Sequence, residues 1–267
     1  MSKIIFITGS SSGIGKAIGE FLYHKGFTVY GTSRSPEKYP NSIFPLLALD
    51  VRKTETISSA ITEVISRSGK IDVVVNNAGV GITGPLEEIP MHEIKNNFDI
   101  NLFGPIAVMQ TVLPQMRAQK SGLIINITSI AGYMGLPYRS VYSASKGALE
   151  LITEAIRMEV KNFNINITNV APGDFATNIA AGRFHAPLIS DSAYQKSYGA
   201  TLQTMNEHVD SGGNPNVMAQ QIYEIINTKS PNGHYKVGAF MQKFSIVLKR
   251  ILPYKIYEKM LMNHYKI

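Results

Sequence analysis

Short apolar runs alternate along this chain with longer stretches in which apolar residues recur every three or four positions. The runs at 3–8, 28–32, 44–49, 71–75, 123–127, 166–170 and 234–237 predict strands. Most carry little polar alternation, as suits strands buried on both faces of a parallel sheet. Helical spacing between them predicts helices at about 14–22, 54–67, 91–116, 141–162 and 217–228, the third interrupted near Gly104-Pro105. Strands and helices in regular alternation predict an α/β architecture: a Rossmann-like doubly wound parallel sheet of about seven strands, with helices on both faces and right-handed crossovers. A single unit is expected over 1–240, with the irregular stretch 178–213 as a substrate loop or lid and 241–267 as a separate extension.

In such a sheet ligands bind beyond the carboxyl ends of the strands, and the distinctive residues fall there. The first predicted strand runs into Thr8-Gly9-Ser10-Ser11-Ser12-Gly13-Ile14-Gly15 and then a helix. Strand, glycine-rich turn and helix in that order are the context of a dinucleotide site. Gly9 allows the tight turn, Gly13 the approach of backbone to a pyrophosphate, and Gly15 close packing, while the free amides at Ser11, Ser12 and Ile14 face the phosphates. The second strand ends at Ser33-Arg34, with no acidic residue to bind a ribose 2′-hydroxyl. A guanidinium there suits a 2′-phosphate in charge and in its forked donors, which favours NADP(H) over NAD(H). Asp50-Val51, Asn76-Asn77-Ala78-Gly79 and Pro172-Gly173, with Thr177 four residues beyond, end later strands at the same edge.

Composition narrows the setting. The chain has 267 residues, 44% apolar and 17% charged, enough for one large core. It has no cysteine, which excludes disulfides and thiolate metal sites, and its histidines show no metal spacing. The first residues lack the plan of a signal peptide, and no apolar run reaches the roughly 18 residues that cross a bilayer, so a cytoplasmic protein is expected. The net charge of +7 is lopsided: between Phe240 and Ile267 stand six basic residues and one acidic, Glu258. The excess therefore belongs to the extension, and the near-neutral body argues against a nucleic-acid partner.

Tyr142-Ser143-Ala144-Ser145-Lys146 places a phenol and an ammonium at i and i+4 of a predicted helix, roughly 6 Å apart at Cβ. A phenol of pKa about 10 is a poor proton source at neutral pH, and lowering that by three units takes roughly 4 kcal/mol, within reach of one close cation in a partly desolvated site. With Thr8-Gly9-x-x-x-Gly13-x-Gly15, Asn76-Asn77-Ala78-Gly79, Asn101, Ser129 and Pro172-Gly173-x-x-x-Thr177 in order, the chain resembles the main, single-domain type of short-chain dehydrogenase/reductase. The resemblance covers residues 3 to about 240. It implies that Tyr142 is the general acid/base, that Ser129 hydrogen-bonds the reacting oxygen, and that Lys146 binds the nicotinamide ribose and holds the pKa of Tyr142 down. It also implies that Asn101 positions a water beside Lys146 and that Thr177 holds the carboxamide. Asn77, Ala78 and Gly79 would line the adenosine and ribose side. A homodimer or homotetramer is implied as well.

Substrate hints lie in two places. The 178–213 stretch mixes Ile179, Phe184, Leu188, Tyr194, Tyr198, Leu202 and Met205, which suits an apolar ligand or a packed lid. In the extension, Phe240, Phe244, Val247, Leu248 and Ile251 recur at helical spacing among basic residues, Pro253 breaks the run, and Ile256, Tyr257, Met260 and Leu261 resume it. Such basic amphipathic segments lie in a membrane interface or pack on the body or a second subunit. The extension also resembles the basic, apolar C-terminal extensions of relatives that reduce steroids, retinoids and keto-sphingoid bases. The resemblance implies an NADPH-dependent reductase of a hydrophobic ketone, such as a 3-ketosphinganine, steroid or retinoid, with the extension either in peripheral membrane contact or packed on the protein. A 3-oxoacyl-thioester reductase and a non-catalytic NADP(H)-sensing protein are the alternatives.

Overall fold

The structure is a computed structural model and describes residues 2–175, 182–210 and 212–267. In chain order its elements are β1 (Ile4–Ile7), α1 (Gly13–His24), β2 (Thr28–Ser33), β3 (Leu46–Ala48), α2 (Thr54–Ser68), β4 (Val73–Asn76), β5 (Ile82–Thr83), α3 (Met91–Phe98), α4 (Gly104–Gln119), β6 (Gly122–Ile127), α5 (Ser140–Glu159), β7 (Ile165–Pro172), β8 (Phe184–His185), α6 (Gln195–Asp210), α7 (Pro215–Asn227), β9 (His234–Val237), α8 (Phe240–Ile251) and α9 (Tyr254–Tyr265). Seven parallel strands form one sheet in the order β3-β2-β1-β4-β6-β7-β9. The order turns back between β1 and β4, where Ile5 faces Val73 and Ile7 faces Val75. That reversal leaves a crevice at the carboxyl ends of the central strands.

The period of two along each strand divides the core between two layers. Phe6, Val74, Ile124 and Ile167 face Ile57, Ile61 and Val64 of α2, Val108, Val112 and Met116 of α4, and Leu149 of α5. Their neighbours Ile5, Ile7, Val73, Val75, Ile125 and Val170 face Ile18 and Leu22 of α1 and Met218, Ile222 and Ile225 of α7. Each such side chain, removed from water, is worth about 1.5–3 kcal/mol. The strands are apolar on both sides because both sides are covered.

Two features differ from the pattern-based expectation. The chain does not break at Gly104-Pro105: α3 passes through a wider π turn at Asp99–Phe103 and continues as α4. Pro105 has no N–H to contribute, and it lies directly after that wider turn, which accommodates the missing donor without breaking the helix. The stretch 178–213 is more regular than expected, since it holds α6 and the short β8, which pairs with β5. Tyr198 and Met205 of α6 are buried. The expected Thr177 and the apolar Ile179 lie outside the described residues.

The extension folds as two helices parted by Pro253 and lies on the body. Ile246 and Tyr257 are buried with Ile130, Met134 and Ala171. Its other face stays open, with Phe240 72%, Ile251 66% and Tyr254 75% exposed. Among the described residues, no helix is long and apolar enough to cross a membrane.

Candidate active site

The glycine loop takes the shape that its residues permit. Gly9 and Gly13 adopt φ of +64° and +56°, a region that favours glycine. A Cβ on Gly9 would stand 2.9 Å from Cα of Ala78. The loop at the end of β4 is tied to it through Thr8, whose hydroxyl accepts from the amides of Asn77 and Ala78, both at 3.0 Å. The Asn77 side chain in turn donates to the carbonyls of Thr8 and Gly9 at 3.0 and 2.9 Å. Asn77 thus builds the cradle as well as lining it. Gly15 packs under the same loop against the Asn77 amide.

Beyond these strand ends lies a cleft of about 400 Å³. Gly9, Ser11, Ser12, Gly13 and Ile14 form one wall; Ser33, Arg34, Asp50 and Val51 a second; Asn77, Ala78 and Gly79 a third. Tyr142, Lys146 and Pro172 close its inner end. Ser12 caps α1 without a side-chain hydrogen bond, and the first turn of α1 holds no acidic residue. The first amides of that helix are therefore open to an anion, with no side chain of the cap or first turn competing for them. Asp50 does not spoil the positive end of the cleft, because its carboxylate is taken by Arg52 at 2.6 Å. That hydrogen bond holds Asp50 below the ordinary carboxylate range against the opposing effect of burial. Lys38 and Tyr39 join Arg34 on this wall. A glycine cradle, free helix amides and two cations at the end of β2 fit a dinucleotide that carries an extra phosphate.

At the inner end the chemistry-bearing side chains converge. Lys146 is buried, and its ammonium donates to the carbonyl of Ile127 at 2.9 Å. Burial pushes its pKa from 10.5 down to about 8, while Glu150 one turn on opposes the fall. Gly79 lets Lys146 and Asn101 approach: a Cβ there would stand 3.3 Å from the Lys146 Nζ and 3.2 Å from the Asn101 Oδ1. Asn101, wholly buried on the π turn, accepts from the Val80 amide and donates to the Val80 carbonyl, both at 2.9 Å. A π turn places one residue out of the ordinary helical sequence of directions, a device found often at functional sites. Asn97 and Ser145 complete the network, with Ser145 donating to Asn97 at 2.9 Å.

Ser129 lies two residues past β6 and its hydroxyl accepts from the amide of Ala131 at 3.2 Å, so it caps the following turn. The hydroxyl proton stays free to donate elsewhere. Ser129 lines a second, smaller cavity of about 60 Å³ together with Tyr142, Pro172 and Gly173. Tyr142 borders both cavities and stands at their junction. The structure thus brings Asn101, Ser129, Tyr142 and Lys146 to one place. It also adds residues that sequence reasoning passed over: Lys38 and Tyr39 in the cleft, and Thr83, Arg139, Asp174 and Arg183 in the small cavity. Lys38 was within reach of pattern reasoning, four residues after Arg34. The others are scattered over the chain and carry no local signal. Among the described residues, no cluster of three or more His, Asp or Glu side chains is placed to hold a metal ion.

A doubly wound sheet with an anion-binding glycine loop at its reversal, and a buried lysine one helical turn from a half-buried tyrosine on the wall of the same cleft, defines a dinucleotide-dependent oxidoreductase. The chain belongs to the short-chain dehydrogenase/reductase family: the short chain dehydrogenase family model matches residues 3–187. It is 38% identical over 252 residues to a 3-ketodihydrosphingosine reductase of Bacteroides thetaiotaomicron, covering 94% of this chain and 93% of that protein. Among solved structures, a short-chain dehydrogenase from Streptomyces avermitilis superposes with a TM-score of 0.81 at 32% identity, covering 97% of this chain and 98% of that one. ElxO with NADP bound superposes with a TM-score of 0.73 at 26% identity, covering 89% and 97%.

Proposed function

We propose that this protein uses NADPH to reduce the ketone of a hydrophobic, lipid-like substrate, of which a 3-ketosphinganine-like long-chain ketone is the concrete candidate. The observation that carries the reading is the position of Tyr142, at the junction of a dinucleotide-sized cleft and a small pocket, with a buried ammonium one helical turn behind it. The cofactor, when bound, supplies the hydride. The chain supplies everything else. Tyr142 gives its proton to the carbonyl oxygen, and the Ser129 hydroxyl donates a hydrogen bond to that oxygen as charge develops there. Lys146 offsets the charge left on Tyr142, and near neutral pH its ammonium is still protonated, since its pKa is about 8. Asn101 fixes the loop after β4 and faces the space beside Lys146. Arg34 and Lys38 suit the 2′-phosphate, and the NADP-bound ElxO supports that choice of cofactor.

Substrate size and polarity are read from the small pocket, whose wall includes Ile14, Ile82, Pro172 and Phe175. The 3-ketodihydrosphingosine reductase among the relatives supports a long-chain ketone. Phe240, Met241, Val247, Ile251 and Tyr254, exposed beside Lys243, Lys249 and Arg250, suit contact with an anionic membrane surface from which such a substrate is drawn. Leu151 and Met158, exposed two turns apart on α5, offer apolar surface to a second copy of the chain.

The test is NADPH consumption by the purified protein over a panel of 3-ketosphinganine, steroid, retinoid and acyl-thioester carbonyls. Tyr142→Phe is expected to lower turnover by about a thousandfold or more, within the range of positioned proton donors, with NADPH affinity nearly unchanged. Turnover retained by that variant removes the assigned acid.

A further inference from the structure

The small pocket holds more positive charge than the reduction of a ketone requires. Arg139 and Arg183 both line it, and the carboxylate on the same wall, Asp174, already accepts from the Gln242 side chain at 2.7 Å. Arg139 is engaged: its guanidinium lies over the Tyr142 ring at 5.2 Å, and its charge favours the ionised form of the buried Tyr265 phenol. Arg183 is not fully engaged. Its Nη1 is buried without a hydrogen-bond partner. Burial, and then the neighbouring charge of Arg139, disfavour its cation, with only partial relief from Tyr142 and Asp174. A guanidinium does not shed its proton at any working pH, so a buried donor of this kind stays charged and unsatisfied until an acceptor arrives.

The side chain is also held in place. Its stem lies on Gly81, where a Cβ would stand 2.8 Å from Cγ and 2.9 Å from Nε of Arg183. Arg183 is absent from the wall of the larger cleft, whereas Arg34 and the glycine loop are part of it. The orphan donor therefore serves the pocket shared with Ser129 and Tyr142. At about 60 Å³ that pocket admits a head group rather than a whole chain.

We propose that Arg183, supported by Arg139 and seated on Gly81, is a specificity-determining residue that binds an oxyanion of the substrate, so that the ketone reduced here carries a carboxylate, sulfonate or phosphate within a few bonds of its carbonyl carbon. The forked donors of Arg183 match such a group. A head group that also bears an ammonium finds Asp174 on the same wall. This inference rests on the ketone-reductase reading and sets aside its 3-ketosphinganine candidate, which carries no oxyanion, in favour of a long-chain ketone with an acidic head group.

The experiment compares a long-chain γ-keto acid, 4-oxododecanoate, with its methyl ester, which differ at the anion alone. The expected result is a kcat/KM at least about tenfold higher for the acid, the scale of a factor set by one charge-assisted hydrogen bond. In Arg183→Gln that preference falls to near unity through KM, with NADPH affinity unchanged. Arg183→Lys restores part of it, and Gly81→Ala, which crowds the stem, reduces it. Calorimetric titration of decane-1-sulfonate into the NADP⁺ complex reads the same site without turnover: one equivalent binds to the native protein and about tenfold more weakly to Arg183→Gln. Equal reduction of acid and ester by the native enzyme overturns the anion site and leaves the reductase reading standing. Loss of NADPH affinity in Arg183→Gln also overturns it and assigns Arg183 to the cofactor. Should neither of these ketones nor any carbonyl of the panel above be reduced while decane-1-sulfonate still binds in an Arg183-dependent way, the anion site stands and the reductase reading falls.

Discussion

Replacing Lys146 by methionine is expected to stabilise the protein while disabling it. Lys146 is buried with its ammonium on the carbonyl of Ile127. The fall of its pKa from 10.5 to about 8, at 1.36 kcal/mol per pH unit, is a folding cost of about 3 kcal/mol at neutral pH. Methionine keeps the length and removes the charge. It forfeits the hydrogen bond to Ile127, worth about 1 kcal/mol, so the net gain is about 2 kcal/mol. For a chain of this size that raises Tm by about 4–8 °C near pH 7. The sign follows from proton counting. Between about pH 8 and 10.5 the unfolded chain holds a proton that the folded chain has released, so native stability rises with pH and the gap to the variant closes. Above 10.5 both states are neutral and only the lost hydrogen bond remains, which makes the variant the less stable of the two. Thermal unfolding of the cofactor-free protein, followed by circular dichroism near pH 7 and near pH 10.5, measures both ends. A variant that is less stable at pH 7, or a gap that does not change with pH, refutes the burial argument.

Two further outcomes concern the cofactor and the extension. Arg34→Ala is expected to weaken NADPH binding by about 1.5–3 kcal/mol, the range of hydrogen bonds to a charged group, with NADH affinity little changed; equal losses in a fluorescence titration of the two cofactors count against the 2′-phosphate role. Phe240→Glu with Ile251→Glu, both on the open face of the extension, should lower cosedimentation with anionic vesicles by about tenfold or more and leave turnover of a water-dispersed ketone intact. Unchanged sedimentation removes the membrane contact. Clipping residues 240–267 is a poor substitute for that experiment, because Ile246 and Tyr257 cover Ile130, Met134 and Ala171 of the body.

The sheet was legible because most of its strands are short and apolar on both faces, and the glycine loop because the positive φ that Gly9 and Gly13 adopt favours glycine. The convergence at Tyr142 was legible through residues at fixed intervals on elements whose order the fold dictates. The π turn at Asn101 was not, since one inserted residue hardly alters apolar spacing over a long helix. Nor was α6, although Tyr198, Leu202 and Met205 stand at i, i+4 and i+7; Gly199 and the polar residues around them mask the signal. Arg139 and Arg183 were invisible for a different reason. They come from the start of α5 and from a segment just before β8, and only the folded chain sets them on one wall. The amphipathic pattern of the extension showed an apolar face but not that α8 and α9 each bury one side on the body and leave the other uncovered.

Gln242 gives the extension a reach its surface position conceals. It lies against Gly173, and its amide bonds both the backbone and the carboxylate of Asp174, at the strand end beneath the reacting pocket. Chimaeras that graft this C-terminal segment from one relative onto another therefore exchange the group that holds Asp174 on the pocket wall together with an outer surface, and their kinetics are expected to shift even when every group around Tyr142 is left untouched.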